Sequence, residues 1–542
     1  MTEAQNQNNV MLAEGAKRDR GKDAQKINIL VAKAVANSIK STLGPKGMDK
    51  MLVDELGDIT VSNDGATILK EMAIEHPIGK MLVELAKTQD NEVGDGTTSA
   101  VIIAGELISK SEALLEDNIH PSIIIKGYRM ASEKANEIFQ SISEPITIND
   151  KELLFNIAKT SMTGKASDHS SELAETVVSA ILKVVEENKE QDIDREQIKV
   201  EQKLGASLSE TQLINGIVLD KEIVHPEMPK EVDNAKVIVL NTALEIKEPE
   251  TDAKIQITSP DQLQSFIDQE EETLKNMVEV IKKSGANYVF CQKGIDDLAQ
   301  HYLAKARIVA IRRIKQSDIE RIAKASGAKI VTRLYDVSEN DLGTFNRIYE
   351  KKIAGDNMIF IEGAKNPGAV TILLRGSSEQ VLAETERTMN DAIGAVLSSL
   401  RIGKYVAGGG SSEVEVSLKL KNYAKTIGGR EQLAIEAFAD VLDIIPKILA
   451  ESSGLDAIDT IVSLRSKHQD SNNKAVGVDV INSKIADMKE KNVIEPLNLK
   501  TQVINSASEV VEMILRIDDI IAASSRNKGM MPPGMPPGMP GM

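Results

Sequence analysis

The chain has 542 residues, with 65 basic against 82 acidic side chains and a net charge of −17. That balance favours solubility and argues against a nucleic-acid backbone as the main partner. A single cysteine, Cys291, excludes an internal disulfide and suits a reducing, cytoplasmic compartment.

Hydrophobic residues make up 41% of the chain, but aromatics only 3%, with no Trp. The cores must therefore be built from Ile, Leu, Val, Ala and Met. At about 100–200 residues per domain, two to four domains are expected. The first 25 residues are polar and lack the apolar centre of a signal peptide. No run approaches 18 apolar residues, so no membrane span is expected.

Residues 1–20 read as a disordered arm. "DAQKINILVAKAVANSIKSTL" carries apolar residues at helical spacing and stops at the turn "GPKG". "KMLVDELGDITVSNDG" reads as a hairpin, with Met51–Val53 and Ile59–Val61 as its arms. Helices are expected near 66–72, 78–90, 97–117 and 121–142, the last with Pro121 in its first turn. After about residue 217 the short β-rich runs "KVIVL", "NYVFC", "RIVAI" and "KIVT" alternate with helical stretches, which is an α/β pattern.

Within that region, 259–283 reads as a long amphipathic helix. Ser259 is its expected N-cap, Pro260 its first residue and Gln262 the partner in a capping box. Residues 260–283 would span roughly 36 Å. Its first half sets Leu263, Phe266 and Ile267 among polar neighbours. From about 404 the texture is helical again, until the flexible tail "GMMPPGMPPGMPGM". The two ends resemble each other more than the middle, which suggests an inserted central domain.

"NEVGDGTTSA" (91–100) stands out chemically. Glycines allow close backbone approach to a ligand, and a helix starting near Thr97 would point its free N–H groups at the loop. Asp95 in that field would repel phosphate unless it held Mg²⁺. The alternative is an ordinary loop with Thr97 or Thr98 as N-cap. The stretch is not a full G-x-G-x-x-G, because Ser99 occupies the third glycine position. Asp64 lies in an Asn-Asp-Gly turn, Asp391 on a helical stretch, Lys165 after "TSMTG", and Gly408–Gly410 in a glycine run. Each has a plain reading: turn, solvated helix residue, surface charge, linker. The six histidines are scattered along the sequence, and none forms HExxH. His301, ten residues after Cys291, has no orienting pattern around it for a Cys–His nucleophile.

Resemblance adds what spacing leaves open. "STLGPKGMDKMLVDELGDITVSNDGATIL" (41–69), "GDGTTSAVIIAGELI" (94–108) and "AGGGSSEVEVS" (407–417) together resemble the group II chaperonins. "FCQKGIDDLAQHYLAK" (290–305) and "NVIEPLNLKTQ" (492–502) fit as well, and the resemblance runs from about 12 to 526.

The resemblance implies a multidomain α+β fold. A mainly helical equatorial ATPase domain would comprise 1–148 and 404–526. A small intermediate hinge domain would comprise 149–217 and 370–403. An inserted α/β apical domain, 218–369, would carry a helical protrusion, and 527–542 would be a Gly/Met/Pro tail.

It also implies a site for ATP and Mg²⁺, with K⁺ as a further candidate cofactor. Asp95 would hold Mg²⁺; Gly96, Thr97, Thr98 and Ser99 would bind phosphates. Leu43, Gly44, Pro45, Gly164, Gly409 and Gly410 would line the nucleotide, with Asp479 near the base and Glu495 on the ribose. Asp64 and Asp391 would orient and deprotonate the attacking water, and Lys165 would sense the γ-phosphate. Leu263, Phe266 and Ile267 would belong to a built-in lid. The implied partners are other subunits of one double ring and unfolded protein clients, with no nucleic acid, no membrane and no separate lid co-chaperonin. Two readings compete with this chaperone: a small-molecule phosphotransferase using the Gly-Asp-Gly loop, and a purely structural self-assembling protein.

Overall fold

The structure, a computed structural model, describes residues 17–165, 169–188, 195–246, 260–364, 369–470 and 473–522. Residues 1–16 of the expected disordered arm, Ser259 with its capping box, and the C-terminal tail lie outside these residues. The end of that arm is ordered after all: Lys17–Arg20 is a strand paired antiparallel with Asp519–Ala522, a distant partner that local sequence does not reveal. The fold is multidomain α+β.

The expected hairpin forms from Lys50–Val53 and Ile59–Ser62, paired antiparallel. The expected helices run over Gly21–Ile39, Gly65–Glu71, Pro77–Val93, Thr97–Glu116 and Pro121–Ile142. Thr97–Glu116 is apolar on nearly every face because it is the centre of a helical layer. Ile102, Ile103, Leu107 and Ile108 are all buried against helices from both ends of the chain. The core around it draws on residues 29–139 and again on 406–515.

The β-rich runs after residue 217 assemble into a seven-stranded mixed sheet. Glu231–Leu240 is its hub. Val237–Leu240 pair parallel with Tyr288–Cys291, while Glu231–Val237 pair antiparallel with Gly343–Tyr349. A second core, from Ile217 to Ile361, packs on this sheet. A third core joins the helices Lys151–Met162, Ser170–Asn188 and Glu379–Ile402 to the strands Ile198–Leu204 and Val370–Gly376.

Strands also appear where only helix was expected. Lys404–Ala407 pairs with Ile494–Pro496 and with Glu144–Pro145, and Val476–Asp479 pairs with Lys484–Asp487. These segments are two to four residues long, too short for a period to declare itself.

The long helix spans Pro260–Ser284 and is two-natured. Its second half is an ordinary core helix: Leu274, Val278 and Ile281 are buried against the sheet. Its first half stands in solvent, with Phe266 39% and Ile267 46% exposed. The side chain of Leu263 lies outside the described residues. Leu274→Ala should therefore cost about 2–5 kcal/mol of stability. Phe266→Ser should stay within about 0.5 kcal/mol. Thermal unfolding of the two variants in parallel checks this, and an equal loss would mean that the first half is packed too.

Candidate functional site

Three segments meet around the Gly-Asp-Gly loop. Gly94 ends the helix Pro77–Val93 in a left-handed conformation, φ 81°. A Cβ on Gly394 would lie 2.6 Å from the Val93 carbonyl oxygen and 2.9 Å from Gly94 Cα. Glycine at both positions lets the helix Glu379–Ile402 lie directly on the loop. Asp391, one turn before Gly394, is thereby carried next to Asp95 and is buried.

Lys165, just beyond the helix Lys151–Met162, closes the arrangement. Its Nζ donates to Asp391 Oδ2 at 2.8 Å and to Asp95 Oδ1 at 3.2 Å. Asp64 caps the short helix Gly65–Glu71 by accepting from Thr67 N–H at 2.8 Å. Its other oxygen accepts from the Thr97 hydroxyl at 2.8 Å. Asp64, Asp95 and Asp391 thus converge on one lysine. Lys165 was expected as a surface charge on the plain reading, and Asp391 as a solvated one; neither is so.

The electrostatics follow from that count. Burial pushes the Asp391 carboxyl well above the usual carboxylate range, and Asp64 and Asp95 add to the push against the pull of Lys165. Burial alone would lower Lys165, but the carboxylates of Asp391, Asp95 and Asp64 outweigh it and keep the ammonium charged. For Asp64, burial is outweighed by Lys165 and by the Thr67 and Thr97 hydrogen bonds, which hold it below its ordinary value. The cluster carries more negative charge than one lysine neutralises. A hard divalent cation fits such an oxygen donor set.

Behind the cluster lies a cavity of about 560 Å³, within the usual range for a small-molecule site. The helix Thr97–Glu116 begins on it with Gly96 as N-cap and no side-chain cap. Neither Thr97 nor Thr98 caps the helix as the plain reading expected, because Thr97 bonds Asp64 instead. The helix Ser411–Ile427 also begins on the cavity, with Gly410 as N-cap and again no side-chain cap. The glycine run is a helix start rather than a linker. Gly96 N–H is spent on Asp95 Oδ1 at 2.7 Å and Ser411 N–H on the Gly408 carbonyl at 3.1 Å; the N–H groups that follow in each first turn make an anion-binding wall.

Of the sequence candidates, Leu43, Gly44, Pro45, Asp95, Gly96, Thr97, Thr98 and Ser99 line the cavity. Lys165, Gly409, Gly410, Asp479 and Glu495 line it too. Asp64 and Asp391 stand behind this lining, reached through Thr97 and Lys165. Gly164 backs onto Pro45, and its carbonyl accepts from Asn63 at 3.1 Å. Both carboxylate oxygens of Asp479 are engaged by Asn482, at 3.1 and 2.8 Å. Glu495 pairs with the buried Lys500 at 2.5 Å, and Lys500 also reaches Glu413 at 2.8 Å. Phe266 and Ile267 of the Pro260–Ser284 helix are not part of this cavity.

Sequence reasoning missed Asn63, Lys500 and Asp90. Asn63 adjoins Asp64, and Lys500 lies in the quoted "NVIEPLNLKTQ", so both were within reach. Asp90 sits in a polar run, "KTQDNEV", and only the fold shows it half-buried. Burial and Asp64 raise its pKa.

The family model of the TCP-1/cpn60 chaperonins matches residues 35–525. The chain belongs to this family. Thermosome subunit alpha of Archaeoglobus fulgidus is 56% identical over 527 residues, covering 97% of this chain and 96% of that protein. Thermosome subunits of Methanopyrus kandleri and Pyrococcus horikoshii are 57% and 56% identical over 521 residues, each covering 96% of this chain and 95% of that protein. This similarity marks an archaeal group II chaperonin, an ATP-dependent chaperone. Nothing found supports the phosphotransferase reading. No described helix is long and apolar enough to cross a membrane.

The glycine contact yields a prediction whose sign is informative. Gly→Ala inside a free helix stabilises by about 1 kcal/mol. At Gly394 the new methyl would meet backbone, so Gly394→Ala should instead cost about 1–3 kcal/mol. A thermal midpoint that rises in this variant would show that the contact is not tight.

Proposed function

We propose that this chain is a ring subunit that hydrolyses ATP in the cavity behind Asp95 and uses the cycle to enclose unfolded proteins. The observation that carries this reading is the convergence of Asp64, Asp95 and Asp391 on Lys165 beside two uncapped helix N-termini.

Asp95 would hold Mg²⁺, which supplies the charge neutralisation that phosphoryl transfer needs. The N–H groups from Thr97 to Ser99 would hold phosphate oxygens, joined by Gly96 N–H once it leaves Asp95 Oδ1, with Gly409 and Gly410 against the nucleotide. Leu43, Gly44 and Pro45 would form its side wall, backed by Gly164. Glu495 would accept from the ribose while Lys500 fixes its carboxylate, and Asp479 would shape the base end through Asn482. Asp64 and Asp391 would orient the attacking water, and one of them would take its proton. Lys165 would exchange a carboxylate partner for the γ-phosphate.

Asp64 and Asp95 adjoin helices packed in the core formed by both chain ends, whereas Asp391 lies on, and Lys165 just beyond, helices packed in the third core. We assign these to equatorial and intermediate domains, and the seven-stranded sheet to the apical domain. A site split this way is complete only when the two parts are closed together, which would couple nucleotide to shape. The partners would be copies of this chain or its relatives in a double ring, and unfolded clients. The hairpin supports ring contacts, since Met51, Val53, Leu56 and Ile59 are all exposed on it. The free half of the Pro260–Ser284 helix would serve as a built-in lid, so that no separate lid protein is needed. The buried free Cys291 suits a cytoplasmic location.

Asp391→Ala should bind ATP yet turn it over about 10²–10⁴-fold more slowly. Near-normal turnover at saturating Mg-ATP would remove Asp391 from the chemistry. Asp95→Ala should instead lose nucleotide affinity and turnover together, and its Mg²⁺ dependence should flatten.

For the lid, residues 250–272 can be replaced by a short Gly/Ser linker. Assembly and ATP hydrolysis should survive, while protection of an enclosed client from added protease should vanish. Continued protection would contradict the lid.

A further inference from the structure

The histidines, scattered in sequence, are not all scattered in space. His225 and His301 face each other with ring centroids 6.1 Å apart. Glu227 joins them, so that one ligand atom from each of the three residues lies within 4.8 Å of the other two. None of them lines the cavity described above.

The two sides are held by independent elements. His225 and Glu227 flank Pro226 in a turn between Ile217–Leu219 and Glu231–Leu240, closed by Met228 N–H donating to the His225 carbonyl at 3.1 Å. Proline in the second position stiffens such a turn. Buried Met228 anchors it to the apical core, and Val224 N–H donates to the Ala310 carbonyl at 3.2 Å. His301 lies on the helix Asp297–Lys305, which is capped by Asp296 and seated by buried Leu303.

The donor atoms are largely unspent. Among the described residues, neither the Glu227 carboxylate nor the His301 ring has a hydrogen bond or ion pair. His225 accepts one weak bond at Nδ1, from Glu227 N–H at 3.2 Å. Two imidazoles and a carboxylate with free lone pairs therefore face a common point, with no cation of the protein between them.

We propose that His225, Glu227 and His301 bind one divalent transition-metal ion of the Zn²⁺ class, clipping the 220–230 segment to the helix Asp297–Lys305. Imidazole nitrogen selects against Mg²⁺ and Ca²⁺, which take oxygen ligands, and the two-histidine, one-carboxylate set is a known donor combination for Zn²⁺. Tetrahedral Zn²⁺ brings its ligand atoms to about 3.3 Å from one another. The present spacing needs to shrink by about 1.5 Å at most, which rotation of exposed Glu227 and the half-exposed rings can supply. Coordination through Nε2 of His225 moves its proton to Nδ1; coordination through Nδ1 displaces the Glu227 N–H. Either way a single 3.2 Å bond is given up. The fourth position stays open to water. Leu298, one turn before His301, is 45% exposed, so the clip would bear on an exposed apolar helix face.

The test is titration of the chelator-treated, assembled full-length protein with ZnCl₂ in excess Mg²⁺, followed by calorimetry. One Zn²⁺ per chain is expected. Glu227→Gln and His301→Gln should each weaken it by ~10–100-fold or more, and the His225→Ala/His301→Ala pair should abolish it. Amide exchange across 220–230 should slow on adding Zn²⁺ to the unaltered protein alone. Unaltered protein loaded with Co²⁺ should show the intense visible bands of tetrahedral coordination. Binding that is absent, or that is unchanged in the double variant, overturns the proposal. So does a Co²⁺ spectrum of the plain aqueous ion, a readout that needs no variant.

Discussion

The backbone contact between Gly94 and Gly394 governs the geometry of this site. Two residues without side chains let a helix of the third core lie on a loop of the first. The ion pairs that join Asp391, Lys165 and Asp95 are downstream of that approach. Asp391 reaches Lys165 because its helix axis is close, and Lys165 reaches Asp95 because the loop turns at Gly94. A methyl group on Gly394 would meet the Val93 carbonyl oxygen at 2.6 Å and push the segments apart, and one on Gly94 would be strained by its left-handed backbone as well.

The electrostatic character follows from the same crowding. Three carboxylates in a partly buried space repel one another, and a single ammonium cannot satisfy all of them. Such a cluster is a poor way to stabilise a fold, since burying charge costs more than pairing returns unless every group is matched. It is a good way to build a site that gains from a cation and a phosphate. The uncapped N-termini of Thr97–Glu116 and Ser411–Ile427 point the same way, because a fold optimised only for stability would cap them.

The Pro260–Ser284 helix shows a different division of labour. Its buried half is an anchor, and its free half carries apolar residues that water does not favour. One continuous helix transmits position along its length without a joint. The exposed tip is therefore held at a set angle to the sheet by Leu274, Val278 and Ile281.

Much of this was legible in the sequence. The helices from 21 to 142 and the 50–62 hairpin follow from apolar spacing and from Pro and Gly punctuation, which are local signals. The glycine loop, Asp64, Lys165 and Asp391 were visible as unusual residue types, and the family resemblance joined them. What residue pattern could not decide was convergence. Nothing in the spacing of Asp64, Asp95 and Asp391 says that they meet, since they are separated by up to hundreds of residues and joined by packing. The short strands at 404–407, 476–479 and 494–496 were illegible because strand pairing is non-local and two to four residues show no period. His225 and His301 looked unrelated for the same reason: the parallel pairing of Glu231–Leu240 with Tyr288–Cys291 brings their neighbourhoods together. Local chemistry, the capping, turning and patterning of single segments, was written in the sequence. Which distant side chains share a few ångströms was decided by tertiary structure, because only the burial of complete apolar faces selects one arrangement of the segments.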